Sequence, residues 1–513
     1  MKSEPNRRRG RSPGKGQTRN QAASSAPAPQ RSFTGSDVFA GLFGLFLGLA
    51  LIKFGNPIIL ESKILPPRTG TEFWSYPWPP GWGVWLLVPF AILGAVLAAR
   101  KRPRWSTTRW LWILPLVWFG WQIVSGTQTV DKELTLPTLG HFGGCVACYF
   151  TGTFLLGDER RFRLLLIGLL AAFAFCLVRA VDQRLFEFPE ERRVLMEGER
   201  TGWTNFAPEV FVEMKHDGII ITTNGVDIAN PVILSKYGKE PPANTDDFHR
   251  RLYVWFAPTP RVNGTLVYPN ALAGVVLLLF PIAMTLSWRS TRGFRTWIRT
   301  AAIALTLFLG ISAMFWTGSK SGWLMAVTCG GAWLFRRLQW PVRAKAVLVG
   351  AIVLAGLGVF GMRFHNYFAS GASSVGARFD YWRAAVRTTL AEPVFGSGPG
   401  TFQRPYERLK APESEMARLT HNDYLEQFCD SGIIGGVSYA LWIGLLLAVL
   451  GRSAGRPNDP LLFATFLGVG GWLLQGLVEF SLYVPALAWT TFTLGGALLR
   501  LAGNQFDKPE PAG

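Results

Sequence analysis

Apolar stretches of about 17–22 residues recur along most of this chain, the length a helix needs to cross the hydrocarbon core of a bilayer. They lie near 38–56, 82–99, 108–125, 138–156, 163–181, 268–287, 298–316, 321–336, 343–361, 433–450, 459–478 and 483–500. Backbone polar groups in hydrocarbon must be satisfied within the segment, so such stretches read as helices. The expected fold is an all-α polytopic membrane protein with about twelve transmembrane helices. Two boundaries are marginal: Lys53 interrupts the first stretch, and the short "TGSKSG" turn separates the seventh from the eighth. Composition agrees. Hydrophobic residues make up 49% of the chain and charged residues 17%, against about a quarter charged in a typical soluble domain. Trp82, Trp85, Trp110, Trp288, Trp297 and Trp340 sit at the ends of apolar stretches, where amphipathic rings suit the headgroup zone.

A net charge of +19 raises the question of a nucleic-acid partner. Most of the Lys and Arg fall in short links between apolar stretches, which points to membrane orientation and not to nucleic acid. Basic links occur at 100–104, 158–163, 289–299, 336–345 and 451–456, and the intervening links are poor in Lys and Arg or long. Strict alternation places both termini inside and leaves two large outer loops. The chain then divides into a basic tail rich in Ser, Pro and Gly (1–36), N-terminal membrane helices (37–181) and a first outer loop (182–265). Central membrane helices (266–361), a second outer loop (362–432), C-terminal membrane helices (433–500) and a short inner tail (501–513) follow. The 1–36 tail reads as disordered and cytoplasmic, too long and polar for a simple cleaved signal.

The first outer loop carries strand-like runs at 209–234 around Asp217-Gly218 and Asn224-Gly225, dipeptides that favour tight hairpin turns. A small β-hairpin element is expected there, with His216 as a solvated turn residue. In the second loop, "ARFDYWRAAVRTTLAEP" (377–393) has helical spacing up to Pro393, and "FGSGPGTF" (395–402) is a glycine-rich turn. Gly398 and Gly400 serve either chain reversal or a phosphate cradle made of backbone N–H groups. The five cysteines lie mostly in or beside apolar stretches, and "CVAC" (145–148) has no second pair, so packing is the default reading.

Three residues stand out for chemistry. His421, in "THNDYLEQFCDSG", precedes a short helix for which Thr420 or Asn422 is a suitable cap and Ser431-Gly432 a stop. Helical spacing would place its ring on one face with Tyr424 and Leu425. An imidazole titrates near pH ~6.5 and accepts protons at neutral pH, so both a general-base role and a capping or interfacial role stand open. Lys320, at the mouth of an otherwise apolar helix, is either an anion clamp or a snorkelling lysine. Arg378 lies in a loop with several arginines, and a guanidinium binds phosphate through paired bonds.

Taken together, "RVNGTLVYPNALAG" (261–274), "TGSKSGWL" (317–324), "ARFDYW" (377–382), "EPVFGSGPGTF" (392–402) and "HNDYLEQFCDSGIIGG" (421–436) resemble the O-antigen ligase and polymerase superfamily of bacterial envelope glycosyltransferases. The resemblance runs over roughly 260–450 and is carried chiefly by the HNDYL element after the glycine-rich turn. It implies transfer of a glycan from an undecaprenyl (polyprenyl) diphosphate carrier to an acceptor hydroxyl. The reaction would take place on the periplasmic face of the inner membrane, with both large loops periplasmic. His421 maps to the family's acceptor-side histidine, Arg378 to a diphosphate-holding arginine, and Lys320 to a second cation where the family pattern has arginine. Asn422, Asp423, Tyr424, Gly398, Gly400 and Arg261 are supporting candidates.

A glycan already linked to diphosphate needs charge stabilisation and a base more than it needs a metal. The sequence has no DxD motif, so no metal or cofactor is expected, and direct displacement would invert the anomeric centre. The expected partners are the lipid-linked donor, a lipid A-core, glycan or protein acceptor, and the bilayer. O-antigen or exopolysaccharide polymerases and protein O-oligosaccharyltransferases share this chemistry and differ in the acceptor. Two rivals remain. One is a lipid or solute transporter, for which Glu479 in "QGLVEFSLYVP" is the main intramembrane-type acid. The other is a carboxylate-based transferase using Glu61 or Glu72.

Overall fold

The computed structural model describes residues 32–100, 109–190, 192–193, 210–215, 218–223, 226–227, 261–363, 373–412, 414–454 and 459–506. Most of the basic N-terminal tail, His216, Asp217 and the Asn224-Gly225 pair lie outside the described residues, as does most of the first large loop.

Each of the twelve expected apolar stretches coincides with a helix. The N-terminal group is α1 (Gly35–Lys53), the short α2 (Gly70–Ser75), α3 (Pro80–Ala99), α4 (Trp110–Gly126), α5 (Lys132–Leu155) and α6 (Glu159–Asp182). The first loop contributes strands β1 (Val210–Lys215), β2 (Gly218–Thr223) and β3 (Val226–Asp227). They pair antiparallel in the order β1-β2-β3, with Val210 opposite Thr223, Lys215 opposite Gly218, and Thr223 opposite Val226. Helices α7 (Pro269–Ser290), α8 (Thr296–Thr317), α9 (Lys320–Arg337) and α10 (Val342–Arg363) follow. The second loop holds α11 (Ser373–Ala391) and the short α12 (Gln403–Leu409). The chain closes with α13 (Asp423–Ala454), α14 (Pro460–Gln475) and α15 (Pro485–Phe506).

Among the described residues, six helices (α1, α3, α6, α7, α8 and α13) are long and apolar enough to cross a membrane. Helices α4 and α14 are apolar but shorter. The chain is thus a helical protein of polytopic membrane type, while the expected count of about twelve crossings is not reached on length and hydropathy. For α5 and α15 the physical reason is visible. Thr135, Thr138, His141, Thr151 and Thr153 of α5 are buried, as are Thr490, Thr491 and Thr493 of α15. Helices shielded by other helices face protein where a lipid-facing helix would need apolar side chains, so their mean hydropathy falls. These two helices pack on each other through small residues. A Cβ on Gly152 would collide with Thr493 O, and one on Gly496 with Tyr149 O, the close backbone approach typical of helix pairs in membranes.

Lys53 does not break α1 but ends it. Its ammonium donates to the carbonyls of Phe73 (3.0 Å), Trp74 (2.6 Å) and Tyr76 (3.1 Å), so a buried cation is satisfied by backbone at the helix mouth. The cysteines are all free, and Cys145 and Cys148 are buried in α5.

Candidate functional site

The Thr420–Asp423 corner is where the second loop meets α13. Asn422 caps the helix: its Oδ1 accepts from the N–H of Tyr424 and of Leu425, both at 3.0 Å. Thr420 Oγ1 accepts from Asn422 N (3.1 Å) and donates to Asn422 O (2.8 Å), which closes the turn. Thr420 is itself fixed, by Trp382 Nε1 on its carbonyl (3.1 Å) and by Glu426 Oε2 on its N–H (2.5 Å). Between these two residues His421 takes φ +55°, the only positive φ of a non-glycine among the described residues. A side chain in this left-handed region costs about 1 kcal/mol or more. The helix then breaks at Ser431 and Gly432, where the dihedrals leave the helical region.

That backbone corrects one expectation. His421 precedes the helix and does not lie along its face with Tyr424 and Leu425. Its ring stacks on Tyr381 of α11 (centroids 5.9 Å apart, 26° between planes) and meets Phe480 edge-on (4.7 Å, 76°). The left-handed turn aims the imidazole away from α13 and towards the α14–α15 connection.

There it meets Glu479, the centre of the site. The carboxylate is buried, with a side-chain exposure of 1%, while Arg378 and His421 keep 22% and 29%. Glu479 is therefore the floor, and the histidine and arginine are the reachable walls. Arg378 Nη2 donates to Oε1 at 2.8 Å, Asn270 Nδ2 at 2.8 Å and Ser321 Oγ at 3.2 Å. His421 Nδ1 lies 3.5 Å from Oε2. This is ion-pair range but longer than a formed hydrogen bond, and neither atom has another partner. With Nδ1 buried against the carboxylate, the exposed side of the ring carries Nε2. Burial pushes the Glu479 carboxyl up; His421, the Arg378 charge and the Asn270 hydrogen bond together outweigh it and hold the group below its ordinary value.

Two more cations complete the surround. Arg261 donates from Nη2 to Asn270 Oδ1 (2.8 Å) and from Nε to Thr317 O (2.8 Å), bracing the α8–α9 turn. Lys320, the first residue of α9, lies within electrostatic range of Arg261 and Arg378. Ser319 caps that helix by accepting from Gly322 N at 3.1 Å. Arg261, Arg378 and His421, spread over 160 residues of sequence by their numbering, thus converge on one carboxylate, with Lys320 beside the two arginines.

Of the remaining candidates, Asp423 holds the cluster and the others serve packing and chain reversal. Asp423 is buried and accepts from Leu482 N with both oxygens (3.2 and 3.1 Å), while its own N–H donates to Gly476 O (2.7 Å). It therefore clamps the loop that carries Glu479. Tyr424 is a packing residue whose hydroxyl donates to Leu473 O at 3.0 Å. The glycine-rich turn is buried, and its N–H groups point inward. Ser397 N donates to Cys429 O (3.0 Å), Gly398 N to Asp430 O (2.8 Å) and Gly400 N to Asp430 Oδ2 (2.6 Å). Gly398 and Gly400 have φ of +107° and +77°, and a Cβ on either would strike Thr129 or Thr138. Of the two readings of this turn, the geometry favours chain reversal, because the donors a phosphate would need are already taken.

The rival carboxylates do local work. Glu61 accepts from Gly81 N (2.5 Å) at the start of α3, and Glu72 accepts from Arg68 N (2.6 Å) at the start of α2. Sequence reasoning missed Asn270, Ser321 and Tyr381, and it treated Glu479 only as a mark against enzyme chemistry. An acid at the outer end of an apolar stretch, with a histidine and arginines on the same predicted side, was the available signal.

The described residues thus define a polytopic helical protein with a histidine–arginine site built on a buried glutamate at one end of its helices. Residues 305–440 match the family model described as O-antigen ligase, a segment that contains Lys320, Arg378 and His421. The match supports the resemblance to the O-antigen ligase and polymerase superfamily. An uncharacterized protein of Haemophilus influenzae (strain ATCC 51907 / DSM 11121 / KW20 / Rd) is 24% identical over 193 residues, which covers 33% of this chain and 47% of the relative. The chain spans about half the length of that relative.

Proposed function

We propose that this protein transfers a glycan from a polyprenyl diphosphate carrier to an acceptor hydroxyl at the periplasmic face of the inner membrane, with inversion at the anomeric carbon. The observation that carries the reading is the convergence of His421 and Arg378 on the buried Glu479, with Arg261 and Lys320 alongside. The acceptor oxygen attacks the anomeric carbon, its proton passes to His421 Nε2, and the bond to the diphosphate oxygen breaks. Glu479 orients the imidazole through Nδ1 and stabilises the imidazolium that forms. Arg378 and Lys320 meet the charge growing on the diphosphate. Lysine keeps the charge of the family's arginine at position 320 but binds as a point charge, without the planar fork, so most of the bidentate grip falls to Arg378.

Purified protein is supplied with polyprenyl-diphosphate glycan and, in parallel, lipid A-core, glycan and peptide acceptors; the acceptor that gains a glycosidic bond sorts ligase from polymerase from protein glycosylation. His421→Ala should lower turnover about 10²–10⁴-fold, the range for loss of a general base. Arg378→Ala should cost about 10²–10³-fold, as for loss of one electrostatic donor. Undiminished transfer by His421→Ala would sink the mechanism, and carrier movement without a new glycosidic bond would favour a transporter.

A further inference from the structure

A groove of about 840 Å³ lies between α7, α8, α9 and α14, away from the candidate site. Its walls are apolar and include Phe280, Met314, Trp323, Ala326 and Leu467. Its rim is not. Arg289 at the end of α7, Arg292 in the α7–α8 link, and Arg336 and Arg337 at the end of α9 all line it. Arg289 pairs with Asp459 at 3.0 Å, and Arg336 lies over the Phe463 ring at 4.2 Å. No carboxylate lines the groove among the described residues.

With Arg289 paired to Asp459, Arg292, Arg336 and Arg337 still bring like charge to the low-dielectric groove, and an anion placed among them relieves that repulsion. Arginine forks favour phosphate, and basic pockets between membrane helices are a recurrent way of holding anionic headgroups. The length fits too. From Trp323 to Arg337 helix α9 rises about 21 Å at 1.5 Å per residue, enough for an acyl chain of one leaflet of a bilayer whose hydrocarbon core is about 30 Å thick. The cations of the candidate site are at the other end of α9, about 25 Å from Arg337 on the same rise. A carrier lipid reacting there would leave the arginine rim empty.

We propose that this groove is a binding site for an anionic phospholipid, with acyl chains between α7, α8, α9 and α14 and phosphate among Arg292, Arg336 and Arg337. The site stands whether or not the transfer reading holds. Native mass spectrometry of the full-length protein in detergent, supplied with phosphatidylglycerol, phosphatidylcholine of the same chains, or polyprenyl monophosphate, tests it. Phosphatidylglycerol should be retained over phosphatidylcholine, and Arg292→Gln and Arg337→Gln should each lower its retention about fivefold. A Cβ at Gly330 meets nothing within 4 Å, so Gly330→Leu fills the groove without a backbone clash and should lower retention with the rim intact. Equal retention of the two phospholipids, or retention indifferent to both arginines, would overturn the proposal in favour of ordinary bilayer lipid. Preferential retention of polyprenyl monophosphate, lost in Gly330→Leu, would overturn it in favour of a carrier-lipid site.

Discussion

Glu479 and Asp430 are both fully buried carboxylates, and the company they keep differs. Glu479 is met by Arg378 and His421 as well as by the neutral donors Asn270 and Ser321. Asp430 is met by neutral donors, the Tyr483 hydroxyl at 2.7 Å and Gly400 N at 2.6 Å. Around Asp430 the pattern continues. Gln427 donates to Tyr483 and accepts from Trp118 and Gln122, while Ser125 holds the carbonyls of Phe395 and Asp430. A buried acid surrounded by cations holds charged side chains that a ligand can also reach. One held by neutral dipoles, with the buried Glu426 as its acidic neighbour, fixes backbone. The first is a site and the second is the scaffold that bolts the glycine-rich turn to α13.

The comparison makes predictions that can break it. Glu479→Gln keeps the shape but removes the charge that orients His421, so turnover should fall about a hundredfold, within the range for general-base chemistry, with the melting temperature changed far less. Asp430→Asn should do the reverse. It disturbs a buried acceptor and should lower stability by about 1–3 kcal/mol, while activity per folded molecule stays near wild type. If the two variants exchanged these phenotypes, the division between site and scaffold would be gone.

A smaller effect follows from pH. Glu479 is held below its ordinary value in the folded protein, so its ionised form stabilises the fold at neutral pH. That contribution is complete above the unfolded value of about 4.3 and fades as pH falls through the lower folded value. The melting-temperature advantage of wild type over Glu479→Gln should shrink as pH falls below about 4. A constant difference down to acidic pH would mean that the Glu479 charge contributes nothing.

The helices were legible because length and apolarity are local properties, and every expected stretch coincides with a helix. Whether a given helix crosses the bilayer was less legible. For α5 and α15 hydropathy reports the neighbours, and those are other helices. Of the site, His421, Arg378 and Lys320 could be picked out as reactive types in constrained places. Glu479 could not be given its place, because its partners Asn270 and Arg378 stand 209 and 101 residues away in sequence. Nor could the left-handed turn at His421 be read. It follows from Thr420 and Asn422 closing on each other, a geometry that the letters T-H-N-D permit without requiring.

That turn also sets what selection can and cannot do at position 421. Glycine adopts φ +55° without the penalty that any other side chain carries, so relief of backbone strain favours His421→Gly over His421→Ala. A screen that rewards heat resistance should therefore enrich glycine at this position, and a screen that rewards turnover should discard it. The histidine stands against the preference of its own backbone, and the gap between the two screens would measure how much the ring is worth.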